Sequence, residues 1–189
     1  MEVLGIFTAF GLSASAGLNA YIPLLIVALL ARFTNLITLR APWDTLSSWW
    51  IIGILVVLSL VEFFADKFPA VNHINDAIQT FVRPAAGAVA FAASANVITD
   101  IHPILAMGMG LLVAGGVHAV KAGAVRPAVT AATGGAGNVP VSILEDLTST
   151  LISILAVVIP VVIACLLVLL TAAVIWWFWR RSNRTAAAH

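Results

Sequence analysis

The stretch EFFADKFPAVNHINDAIQTFVRP, residues 62–84, is the segment on which the fold turns. It gathers Glu62, Asp66, Lys67, His73, Asp76 and Arg83 in a chain that otherwise avoids charge. Of 189 residues, 62% are hydrophobic and 9% charged, whereas an ordinary soluble domain is about a quarter charged. The mean hydropathy is +1.10. Folded in water, such a chain exposes apolar patches wide enough to aggregate. The composition therefore predicts an all-α polytopic transmembrane bundle, a single integral membrane domain over residues 1–189. In that setting the charged cluster must be solvated, paired or used.

Other classes fall away on charge and motif. The net charge of +1 provides no field that draws nucleic acid, and no basic patch lies beside stacking aromatics. The single Cys165 lies in an apolar run, where it reads as a packing residue. Glu2 precedes the first apolar run with no Lys or Arg before it, which argues against a cleaved signal peptide. The sequence holds no Walker loop, HExxH motif or paired-cysteine pattern, so no cofactor, metal or ATP engine is expected.

Outward from the cluster, the apolar runs predict five spans at residues 3–31, 45–64, 84–99, 102–120 and 147–179. The first and last exceed the ~20 residues needed to cross a bilayer. Pro23 removes a donor to the carbonyl of Asn19, so the first span is expected to break near there. Two readings stand: a kink packed by small residues, or a half-helix end lining a solute path. Trp49 and Trp50 open the second span as interfacial anchors. Asn72 is a candidate N-cap for the helix that follows. In the fourth span Ala106, Gly110, Ala114 and His118 fall four apart and share a face that allows close helix approach. Residues 130–140 form a Gly-rich loop, after which Ser142 and Glu145 are spaced as a capping box. Pro160 is expected to interrupt the last span. WWFW followed by Arg180, Arg181 and Arg184 predicts a cytoplasmic tail over residues 180–189. With five spans, the 62–84 and 121–146 clusters then fall together on the opposite side.

GLSASAGLNAYIPLL near the start, VEFFADKFPAVNHINDAIQTFVRPAAGA in the middle and the TGGAGN and SILED segments resemble a bacterial inner-membrane family known only as a domain of unknown function. The resemblance covers nearly the whole chain. It implies a small multi-pass protein of the bacterial cytoplasmic membrane, and it supplies no reaction or catalytic residue.

Candidate substrate- or ion-binding residues are therefore chosen from the polar groups themselves: Asn19, Glu62, Asp66, Lys67, His73, Asp76, Arg83, His118, Lys121 and Arg126. A lone charge at the bilayer centre is costly, so such residues are paired or functional. An interfacial loop with solvated side chains and a shared polar cavity are both compatible with the spacing. Gly134, Gly135, Gly137 and Asn138 precede a helix and are candidates for an anion-holding loop, or for a tight turn. Glu145 is read as a cap rather than a ligand. No nucleophile–base pair emerges, so the expectation is not an enzyme. The expected function is transport of a small solute, ion or lipid head group by a homo-oligomer in the lipid bilayer. The alternatives are an accessory subunit of a larger membrane complex and, after it, an intramembrane enzyme.

Overall fold

The computed structural model describes residues 2–67, 69–95 and 101–186, with side chains for 5–67, 75–95 and 101–159 and for Leu169, Trp176 and Arg180. Every regular element among them is helical: α1 Glu2–Leu18, α2 Tyr21–Phe33, a 3₁₀ turn Trp43–Ser47, α3 Trp49–Ala65, α4 Pro69–Ala95, α5 Pro103–Val120, α6 Arg126–Thr133 and α7 Asn138–Ala186. A π-helical turn, Lys121–Val125, joins α5 to α6. Among the described residues, two segments are long and apolar enough to cross a membrane, Pro103–Thr133 and Asn138–Ile159. The apolar helices Gly5–Leu18, Tyr21–Phe33 and Trp49–Ala65 are shorter.

The predicted break in the first apolar run lies between α1 and α2, at Asn19 and Ala20. Pro23, buried in the first turn of α2, leaves the Asn19 carbonyl without its helical donor. Asn19 also caps the new helix, because its Oδ1 accepts from the amides of Tyr21 and Ile22, both at 3.1 Å. Three other expectations need correction. α4 already begins at Pro69, so Asn72 lies inside it rather than at its N-cap, while the third apolar run is extended backwards through Pro84 by the polar helix before it, one of the two forms its sequence allows. α7 begins at Asn138 and continues through Pro160 without interruption. Ser142 and Glu145 therefore lie inside α7 and form no capping box.

α1 sits at the centre, packed against α4, α5, α7 and α2. Its inner faces are lined by small side chains that let backbones approach closely. On the α4–α5 contact a Cβ on Gly87 would collide with Ala114 Cβ, and one on Gly110 would collide with the Gly87 carbonyl. The predicted small-residue face of α5 is the one turned inward: Ala106, Gly110, Ala114 and His118 are all buried. Along α1 and α7, Ser15 Oγ donates to the Ser149 carbonyl at 2.8 Å and lies 2.7 Å from Ser153 Oγ. Large apolar side chains lie on the outer surface. Trp50, Phe81, Ile104 and Leu112 are each more than 70% exposed, while Arg83 and Glu62 are sealed inside.

Candidate functional site

The polar groups gather where α1 gives way to α2. Glu62 lies in the last turn of α3 and Asp66 at its C-cap, one turn apart, and the Glu62 carboxylate reaches the break at Ala20. On α4, Asn75, Gln79 and Arg83 recur every fourth residue and form one buried stripe. His118 closes α5, and the π turn carries Lys121 inward beside Arg126. From α7 come Ser142, Glu145 and Asp146.

Most of these side chains are paired. Arg83 is fully buried, and its Nη2 and Nε donate to Glu62 Oε1 at 2.9 and 3.2 Å. Glu62 Oε2 also accepts the Ala20 amide at 3.2 Å, so the carboxylate sits on the positive end of α2. The opposite end of the break is held by Lys121, whose Nζ donates to the Leu18 carbonyl at 3.0 Å. An acid therefore holds the start of α2 and a base holds the end of α1.

Asp66 is the hub. Its Oδ1 accepts from Asn75 Nδ2 at 2.6 Å, and its Oδ2 accepts from Arg126 Nη2 at 3.2 Å and Ser142 Oγ at 3.4 Å. Lys121 Nζ lies 3.8 Å away and Arg83 Nη2 3.6 Å. Burial alone pushes this carboxyl upward, but Lys121, Arg83 and Arg126 together outweigh it and hold it below the ordinary aspartate value. Glu145 Oε2 takes two cations, Arg126 at 2.8 Å and Lys121 at 2.9 Å. A separate cluster runs from Asn19 Nδ2 to Asp146 Oδ1 at 3.0 Å and from Lys67 Nζ to Asp146 Oδ2 at 3.1 Å.

His118 has its tautomer set by its neighbours. Arg83 Nη1 lies 3.2 Å from Nδ1, and a guanidinium only donates, so Nδ1 is the acceptor. The proton then rests on Nε2, which donates to Thr80 Oγ1 at 3.2 Å; Thr80 donates onward to the Asp76 carbonyl at 2.8 Å. Asp76 itself is half-buried, and among the described residues no ion pair involves it. Burial raises its carboxyl above the ordinary value, with Asp66 adding to the rise and Arg126 opposing it.

Of the candidates, Glu62, Asp66, Arg83, His118, Lys121 and Arg126 share one network, with Asp76 at its edge, while Asn19 and Lys67 meet at Asp146 in a separate cluster. The His73 side chain falls outside the described residues. Gly134, Gly135, Gly137 and Asn138 lie elsewhere, in the turn between α6 and α7. Gly134 and Gly135 take φ of 62° and 92°, and the Ala136, Gly137 and Asn138 amides donate to Thr133 and Gly135 within the turn. The glycines there serve the turn geometry.

Sequence reasoning passed over Ser142, Glu145 and Asp146 as members of the site. The signal was present, since 142, 146, 149 and 153 place polar residues every three to four positions on one face of an apolar helix. Among the described residues no group of three or more His, Cys, Asp or Glu side chains is placed to hold a metal ion.

A family model for a domain of unknown function, DUF4126, matches residues 6–180. The chain belongs to this family. The match takes in the helix break, all the described members of the ion-pair network and most of α7. No curated protein and no solved structure matches the chain.

Proposed function

We propose that this DUF4126 chain is a multi-pass membrane protein that moves a small solute, an ion or a lipid head group past the α1–α2 break, without catalysing a reaction. The observation that carries this reading is the buried ion-pair network assembled at a discontinuous helix. Irregular backbone at membrane depth persists only where protein or a wet cavity covers it. Transporters use such half-helix ends to meet charged cargo. Here Ala20 N faces Glu62 and the Leu18 carbonyl faces Lys121, so each half-helix end already holds a charge that cargo can exchange with. The exposed apolar exterior supports a lipid environment around all the packed helices, including those shorter than a full span. The resemblance favours the bacterial cytoplasmic membrane, and the terminal arginines favour a cytoplasmic C-terminus. Because the bundle is small, the reading includes a homo-oligomer.

Purified protein in phosphatidylcholine vesicles tests this, with proton, potassium and phosphate flux as probes. Wild-type flux that Asp76→Asn and Arg83→Gln abolish in folded protein supports the reading. Unchanged flux in both variants removes the network from the mechanism.

One observation favours a second reading, an accessory subunit of a larger membrane complex: the network is closely paired, as in an element held rigid for a partner. A native particle recovered only with a larger unrelated protein would select it.

A further inference from the structure

A cleft of about 460 Å³ lies between α5, the π turn and α7, beside the last residue of α1. Its volume is that of a small-molecule site. Val117, Val120, Val141 and Leu144 form apolar walls, and Lys121 and Glu145 form a charged floor. Val120 and Leu144 are also about 60% exposed, so the mouth opens through an apolar rim rather than a hydrated one. Directly behind the floor, one hydrogen bond from Glu145, lies the buried guanidinium of Arg126. Its Nε and Nη1 are buried and have no hydrogen-bond partner. Buried donors of this kind call for an acceptor. Glu145 meets this guanidinium through Nη2 alone, and the same Oε2 also takes Lys121.

We infer that this cleft binds a single-chain lipid with an anionic, acceptor-only head, its alkyl chain between α5 and α7 and its head taken by Arg126 and Lys121. Each part of the ligand answers to a part of the cleft. An apolar rim and walls select a chain arriving from an apolar phase, and unmet N–H donors select a carboxylate or phosphate oxygen over a hydroxyl. The proposal rests on the membrane reading above but does not require transport. Gly116 lines the same cleft, and a Cβ there meets nothing within 4 Å. That position allows the cleft to be filled without disturbing the ion pairs.

The test places Val117→Cys in a Cys165→Ala background, in phosphatidylcholine nanodiscs doped with oleate or oleyl alcohol, and follows labelling by a maleimide. Oleate should slow labelling by about tenfold, the scale of a charge-assisted hydrogen bond made in a desolvated site. Oleyl alcohol and inorganic phosphate should change it less than about twofold. Arg126→Gln should remove most of the oleate protection, and Gly116→Phe all of it, in protein with unchanged far-UV circular dichroism. If Arg126→Gln does not fold, Gly116→Phe decides alone. Equal protection by oleyl alcohol would overturn recognition of the head, and absence of protection by oleate would overturn the site. Either result in nanodisc-inserted, flux-competent protein leaves the transport reading intact.

Discussion

Arg83 and Glu62, 21 residues apart on different helices, meet at 2.9 Å with side chains 0% and 1% exposed. Neither has bulk water to fall back on, so Glu62 depends on Arg83, and Arg83 depends on Glu62 with Asp66 farther off at 3.6 Å. Glu62 also holds the first amide of α2, which makes this pair the link between the α3–α4 corner and the helix break.

Removing one partner should therefore be far worse than removing both. Arg83→Met or Glu62→Leu alone should destabilise the fold by about 3–5 kcal/mol, the usual consequence of stranding a buried charge. The double variant Arg83→Met/Glu62→Leu should recover a large part of that loss. A double-mutant cycle of thermal unfolding in detergent measures it, and additive losses would show that the two side chains do not depend on each other.

Asp66 and Asp76 should respond to pH with opposite signs. The Asp66 carboxyl lies below the ordinary value of 3.8, so its stabilising contribution is complete above that value and is lost as pH falls through its folded-state pKa. Asp76 is raised, so its contribution is complete below the ordinary value and is lost as pH rises through its folded-state pKa. At neutral pH Asp66→Asn should lower the unfolding midpoint and Asp76→Asn should raise it slightly. Midpoints measured from neutral to acid pH should show the Asp66→Asn deficit shrinking as wild type loses the same charge.

Gly108 and Gly110 lie on one helix but face opposite ways. A Cβ on Gly110 would press on Phe91 Cβ at 2.6 Å and Ala88 Cα at 2.8 Å, so Gly110→Ala should cost about 1–3 kcal/mol through overpacking. Gly108 meets nothing within 4 Å, and Gly108→Ala should stabilise by about 0.5–1 kcal/mol through helix propensity. Thermal unfolding of the two variants side by side is the check.

Asn19 both caps α2 and binds Asp146, and different substitutions separate the two roles. Asn19→Ser should keep most of the cap, at a loss of about 1 kcal/mol or less. Asn19→Asp keeps a cap oxygen but sets a second carboxylate against Asp146, and it should destabilise more than the serine does. A midpoint for Asn19→Asp equal to that of Asn19→Ser would mean that the Asp146 contact carries no weight.

What the residues determined by themselves were properties each segment carries alone. Apolar composition predicted a helical protein with oily surfaces, Pro23 predicted a break in the first run, and four-residue spacing predicted the inward face of Ala106, Gly110, Ala114 and His118. Each follows from local backbone chemistry or from periodicity along one helix. Packing alone decided which polar faces meet. Nothing near Glu145 in the chain marks Lys121 and Arg126 as its partners, and the local pattern around Ser142 suggested a cap instead. Asp66 became a hub because α4 delivers Asn75 and Arg83, the π turn and the start of α6 deliver Lys121 and Arg126, and α7 delivers Ser142 to the same few ångströms. The low dielectric there makes mutual pairing far more favourable than isolation, and it operates between helices that only the folded chain brings together.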